Sequence, residues 1–257
     1  MAEDEINWKQ YIRSFHADRP GVIEQVLSRS MGGEHSPYRW LARAVSADAT
    51  TVLDLACGSG PMSRELSTEG RTVIGLDLSE HELALAQASG PGPWVRGDAL
   101  RLPFADASVD AVTSAIGLAV VTPMAAVLAE IARVLRPGGV LTAIAPALRP
   151  LSPKDLRVLT RLNTRLRTKP QFPGPLELAG FTKALEPLGL KKVEDQREKY
   201  RFTVHSRDDA ELLMSALYLP QTRWSRVEAA IEHLEDRVAK RGPVDVSIPM
   251  RRLVAIK

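Results

Sequence analysis

Val52-Leu53-Asp54-Leu55-Ala56-Cys57-Gly58-Ser59-Gly60-Pro61 reads as a strand that runs into a tight glycine turn and then a helix. The glycines let the backbone approach a ligand without a Cβ in the way, and Pro61 suits a first helical turn, where its missing N–H costs nothing. Outward from this point, short β-rich runs alternate with helical stretches. The runs are Thr51–Leu55, Thr72–Leu76, Pro93–Arg96, Val109–Ser114 and Val140–Ala145; the helices are Pro61–Ser67, Glu80–Ala88 and Met124–Leu135. That alternation predicts βαβ units and a parallel sheet covered on both faces. In such a sheet a ligand sits outside the carboxyl ends of the strands, where the glycine turn falls.

Residues 7–45 read as helices, Trp8–Phe15, Val22–Ser30 and Tyr38–Ala44, separated by Pro20 and the Met31-Gly32-Gly33 step. After residue 146 the rhythm breaks. Residues 152–168 read as a basic helix, Leu176–Leu188 as another, Lys191–His205 as a long polar strand, Asp208–Tyr218 and Trp224–Arg241 as helices, and Met250–Ile256 as a closing strand. With no fixed-period repeat, residues 1–257 are expected to form a single domain. Its parts are a helical segment 1–45, a ligand-binding core 46–147, and late helices with closing strands over 148–257.

The 257 residues are 44% hydrophobic and 25% charged, the balance of a soluble globular protein. Apolar stretches such as Ile116 to Val121 are far too short to span a bilayer. Met1-Ala2-Glu3-Asp4-Glu5 lacks the order of a signal peptide. The single cysteine, Cys57, rules out an intrachain disulfide and a cysteine-based zinc site. Together these features lead to the expectation of a cytoplasmic protein with no membrane partner and no bound metal. The net charge of +3 does not call for nucleic acid. The excess is local, because Lys154, Arg157, Arg161, Arg165, Arg167 and Lys169 face one acid, Asp155.

Three details bear on the ligand. A dinucleotide turn wants a third glycine or alanine three residues after Gly60, and Ser63 stands there. Asp54, inside the strand, would repel a pyrophosphate and welcome an ammonium group. No lysine follows the turn, as a P-loop requires. Asp77, at the end of the second strand, can accept both hydroxyls of a ribose. Asp98, after the third, can accept from an exocyclic amino group while the backbone of its neighbours bonds the ring. Either aspartate alone could equally be a helix cap or a turn residue. Cys57 reads as a packing residue, since no base is identifiable beside it.

This set resembles the class I S-adenosylmethionine (SAM)-dependent methyltransferases of the broad small-molecule type. Their glycine motif looks like Asp54 to Gly60, with Ala56 where many members carry a first glycine. Their ribose-binding acid matches Asp77 and their adenine-binding acid Asp98. Phe104–Asp110 and Ala129–Gly139 look like the next two segments, so the resemblance covers residues 36 to 147. It implies an α/β, Rossmann-like, doubly wound, seven-stranded mixed sheet whose last strand is antiparallel, with a helical N-terminal lid and late helical insertions. It also implies SAM as cofactor, S-adenosylhomocysteine as product, and cofactor contacts from Asp54, Ala56, Cys57, Gly58, Gly60, Asp77, Leu78, Gly97, Asp98, Ala99 and Ala115, with Tyr11 from the lid.

Methyl transfer is an in-line displacement for which the enzyme supplies alignment and a dry pocket. A hydroxyl acceptor, the first expectation here, also needs a base. Relatives often carry a histidine after the fourth strand; this chain has Ser114-Ala115-Ile116-Gly117-Leu118-Ala119-Val120-Val121 there, which suggests an apolar wall. Candidates for a base are therefore His16 and Tyr11 on the first helix and His205 at the end of the long strand; Tyr11 and Phe15, four apart, could equally be a packing pair. Tyr38-Arg39-Trp40 is a further candidate for reaching the cofactor. The spacing of Lys154, Arg157, Arg161 and Arg165 puts them on one helix face, either solvated or facing an anionic acceptor, with Leu156, Val158, Leu159, Leu162 and Leu166 opposite. Two other readings stay open: an rRNA or tRNA methyltransferase using the basic helix, which the lack of an RNA-binding module and the 5% aromatic content argue against, and a non-catalytic SAM-fold protein.

Overall fold

The computed structural model describes residues 6–257, apart from the side chain of Leu176. The Met1–Glu5 segment, and the signal-peptide expectation drawn from it, lie outside the described residues. Three helices come first: α1 (Trp8–Asp18), α2 (Val22–Ser28) and α3 (Pro37–Ala42). Asn7 accepts from Gln10 N–H to start α1, and Ser36 accepts from Arg39 N–H ahead of Pro37 to start α3. The alternating part runs β1 (Thr51–Leu55), α4 (Pro61–Leu66), β2 (Thr72–Asp77), α5 (Glu80–Ser89), β3 (Trp94–Arg96), β4 (Val109–Ala115), α6 (Gly117–Val120), α7 (Met124–Val134) and β5 (Leu135–Pro146). The rest is α8 (Pro153–Leu166), α9 (Phe181–Leu185), β6 (Lys191–Val204), α10 (Arg207–Ser215), α11 (Trp224–Arg241) and β7 (Val244–Ile256).

One seven-stranded sheet takes the order β3-β2-β1-β4-β5-β7-β6. The β1–β2, β1–β4, β2–β3 and β4–β5 pairs are parallel, and β7 lies antiparallel between β5 and β6. The apolar centre of the sheet, Val52, Leu53, Ala111, Val112, Leu141 and Ala143, has no solvent exposure, as a sheet covered on both faces requires. A second core joins Val158, Leu162 and Leu166 of α8 to α10, α11 and the far ends of β6 and β7.

Four details depart from the sequence expectation. A short helix, α6, follows β4 where only an apolar segment was read. The Leu176–Leu188 helix is broken: Glu177 and Leu178 take positive φ and Gly180 is left-handed, leaving α9 between two 3-10 turns. The closing strand starts at Val244 rather than Met250 and runs through Pro249. Pro249 is tolerated because β5 ends beside it: Pro146 pairs with Met250, and Ala147 N–H donates to the Pro249 carbonyl, so the missing N–H falls where the neighbouring strand stops. On α8, Leu156 is 51% exposed, while Val158, Leu162 and Leu166, at spacing four, carry the buried face.

Candidate active site

Strand order reverses between β1 and β4, and a cavity of about 350 Å³ opens beyond the carboxyl ends of these two strands. The turn after β1 shapes one wall. Cys57 N–H donates to the Leu76 carbonyl at 3.0 Å, tying the turn to β2. Gly58 and Gly60 both take positive φ, but their roles differ. A Cβ on Gly58 would have only the Glu82 carboxyl within 4 Å, so its backbone faces open space. A Cβ on Gly60 would stand 2.5 Å from the Trp94 ring, and Gly60 is not part of the cavity wall. Gly60 therefore serves the packing of β3 against the turn.

Among the described residues five carboxylates line the cavity: Glu24, Asp54, Asp77, Glu82 and Asp98. Asp77 Oδ2 accepts from Gly58 N–H and Oδ1 from Ser79 N–H, each at 2.8 Å. Burial raises its pKa, against the lowering effect of those two donors. Asp98 Oδ1 accepts from Leu100 N–H at 2.9 Å. Both residues thus hold turns, the role left open by sequence, and both still face the cavity; Ser79 is the cap of α5. Asp54 has no solvent exposure and accepts from Ser63 Oγ at 2.7 Å and Thr113 Oγ1 at 3.3 Å. Burial, opposed by those hydroxyls, lifts its pKa to about 6. With Lys9 and Arg13 the lysine and arginine of the wall, this surroundings suits a cationic ligand rich in donors and is a poor one for a pyrophosphate.

The N-terminal helices dock onto this wall through two acids that sequence reading passed over. Glu24 of α2 accepts from Ser59 Oγ and pairs with Arg64. Glu82 of α5 accepts from Gly21 N–H at 3.0 Å, and its other oxygen lies 2.8 Å from His16 Nδ1. His16 Nε2 lies 2.9 Å from the Tyr218 hydroxyl. With Glu82 as acceptor, Nδ1 carries the imidazole proton and Nε2 accepts from Tyr218. Glu82 was masked by its position three residues after Ser79, which reads as a capping box. Tyr218 had no local signal, being 202 residues from its partner.

The remaining candidates are divided. Ala56, Cys57, Leu78, Gly97, Ala99, Ala115 and His16 line the cavity, and so does Tyr38, whereas Arg39 and Trp40 do not. Burial pushes the Cys57 thiol far up, which removes it as a nucleophile. Tyr11 is displaced from the wall: its hydroxyl accepts from Leu219 N–H at 2.8 Å and its ring packs edge-on to Tyr218. His205 is also elsewhere, exposed at the start of the β6–α10 connection with its N–H on Asp209. Lys154, Arg157, Arg161 and Arg165 line neither this cavity nor its neighbour. Among the described residues no cluster of metal-ligating side chains occurs, and no helix is long and apolar enough to cross a membrane.

Residues 53–143 match the family model described as a methyltransferase domain. A demethylmenaquinone methyltransferase of Beutenbergia cavernae is 45% identical over 103 residues, covering 40% of this chain and 43% of that protein. The chain thus spans less than half the length of that relative. Among solved structures, a SAM-dependent methyltransferase from Methanosarcina mazei superposes with a TM-score of 0.52 at 15% identity, over 88% of this chain and 99% of that one. The cyclase SpnF superposes with a TM-score of 0.58 at 18% identity, over 97% and 92%; one fold carries different reactions. The sheet order and the acid-lined cavity at its switch point thus surround a core, residues 53–143, that is similar to the methyltransferase domain family.

Proposed function

We propose that the protein transfers the methyl group of SAM to a small-molecule acceptor. The observation that carries this is a carboxylate at each place where SAM presents donors or positive charge. Asp77, half-buried and already fixed by two N–H groups, has lone pairs left for the ribose hydroxyls. Asp98, with Gly97 and Ala99 beside it, suits the adenine amino group, and the exposed side chains of Leu78 and Leu100 flank the place where the ring would lie. Asp54 faces the ammonium group. The open backbone of Gly58, with Ala56 and Cys57, lets the chain lie close along the ligand, and Ala115 and Ile116 supply the apolar wall. Bound SAM supplies an electrophilic methyl on a sulfonium.

An oxygen acceptor is the finer reading, and the Tyr218–His16–Glu82 chain supports it. Tyr218 lines the cavity and burial keeps its hydroxyl protonated, so it would act as a relay: as it takes the acceptor's proton it passes its own to His16 Nε2, while Glu82 fixes the imidazole orientation. His16 is the member of this chain that the sequence reading had put forward. We further take residues 1–257 as one working unit, with 1–45 as the lid held by Glu24 and Glu82 over the core 46–147. The buried, unpaired Cys57 is in keeping with the cytoplasm. The name of the B. cavernae relative directs the acceptor search first to quinone-like molecules.

Calorimetric titration with SAM, S-adenosylhomocysteine and NAD tests the reading. Both adenosyl ligands should bind in the micromolar range, and Asp77→Ala should weaken them at least about tenfold through loss of charge-assisted bonds. Tighter NAD binding, or none by the adenosyl ligands, overturns it.

A further inference from the structure

A second cavity, of about 210 Å³, lies behind the first between α8, α10 and β7. The two share three wall residues, Ile23, Ile116 and Tyr218. Ile116 marks the junction. It follows β4 directly and holds φ at 69°, a conformation that costs a β-branched residue energy and that persists where surrounding structure imposes it.

The chemistry of this chamber contrasts with that of its neighbour. Among the described residues no charged side chain lines it, and most of its wall is aliphatic or aromatic: Leu159, Leu162, Leu166, Phe172, Leu213 and Met214 among others. Its polar groups are few. Ser247 Oγ is spent on Asp155 at 2.7 Å, and the Tyr218 hydroxyl is held by His16. Asn163 remains: this half-buried residue is part of the chamber wall, and its side chain has no hydrogen-bond partner among the described residues. An apolar cavity with one or two unspent polar groups is built for a ligand of matching pattern.

We propose that this chamber is the acceptor site, and that it takes a neutral, largely apolar molecule carrying a hydrogen-bonding oxygen that Asn163 anchors. This rests on the methyltransferase reading and names its substrate class. An anionic acceptor is disfavoured, because a carboxylate or phosphate placed there would be desolvated with no cation to meet it. The basic face of α8 points away: Lys154, Arg157 and Arg161 are exposed and contribute nothing to the wall.

The test is binding, with the protein saturated with S-adenosylhomocysteine. The probes are 2-naphthol, an apolar bicycle with one hydroxyl, and 2-naphthoate, its carboxylate counterpart. 2-Naphthol should bind saturably and 2-naphthoate at least about tenfold more weakly. Asn163→Ala should weaken 2-naphthol about fivefold, the size of one hydrogen bond. Leu162→Trp, which fills the chamber, should abolish 2-naphthol binding and leave S-adenosylhomocysteine affinity intact; Leu217→Trp, at a half-buried position of the same wall, repeats the test should the first variant not fold. S-adenosylhomocysteine binding without saturable 2-naphthol binding, equal binding of 2-naphthoate, or unchanged binding in the filled variants overturns the inference and spares the methyltransferase reading. Loss of S-adenosylhomocysteine binding in the unaltered protein overturns both.

Discussion

Asp54→Asn separates what the buried carboxylate costs the fold from what it gives the site. Asp54 sits at the end of β1 with no exposure, and its carboxyl is moved from an ordinary 3.8 to about 6, chiefly by burial. The folded chain therefore keeps the proton over a range where the unfolded chain has lost it. The folded state binds more protons between pH 4 and 6, so stability falls as pH rises through that window and stays lowered above it. At 1.36 kcal/mol per pH unit, the cost of the ionised form above pH 7 is roughly 3 kcal/mol. Asparagine is nearly isosteric and neutral, and Ser63 and Thr113 can serve it because a hydroxyl both donates and accepts. Urea denaturation of both proteins at a series of pH values should show near-equal stability at pH 4. The variant should gain steadily to about 2–3 kcal/mol by pH 7. The same variant should bind S-adenosylhomocysteine about tenfold or more weakly at pH 8, where the unaltered carboxylate is charged. A difference that is flat from pH 4 to 8, or a variant less stable than the parent at pH 8, refutes the reasoning, because the carboxylate would then be compensated in the fold.

Other perturbations follow from single contacts. Gly75→Val places a Cβ 2.5 Å from two Trp94 ring atoms and 3.0 Å from Cys57 Sγ, and should cost about 2–4 kcal/mol in urea denaturation; parental stability would mean the ring moves aside freely. His16→Ala should destabilise by about 2 kcal/mol, since it removes the hydrogen bond from the imidazole N–H to the buried Glu82 carboxylate, whereas Tyr218→Phe should cost only about 1 kcal/mol; thermal melts that rank the two the other way would contradict the hydrogen-bond order. Arg237 carries a buried Nε with no acceptor among the described residues, and burial and the nearby Arg161 and Arg241 lower its pKa. Arg237→Met should therefore raise stability by about 1 kcal/mol in the same assay, and a loss would show that the guanidinium is satisfied in solution.

The sequence by itself determined the alternating core. Runs such as Thr51–Leu55 and Val109–Ser114 are apolar beyond what a half-solvated strand needs, and Gly58 and Gly60 permit the positive φ that the tight turn takes. It also placed Asp54, Asp77 and Asp98, because each lies within a few residues of a strand end and the sheet order carries them to one rim. What local pattern cannot contain was decided by tertiary structure. Leu176–Leu188 has helical composition, yet packing holds Glu177 and Leu178 at positive φ. Pro249 marks a strand boundary by its missing N–H, but only the end of β5 beside it makes that harmless. Tyr11 and His16 lie on one helix, and which of them faces the cavity depended on how α1 docks against α5 and Tyr218. Glu82, Glu24 and Tyr218 join the site through partners 35 to 202 residues away. Periodicity reports what a residue does to its near neighbours; the charge balance of one cavity and the apolar lining of the other are sums over segments that meet only when the sheet has formed.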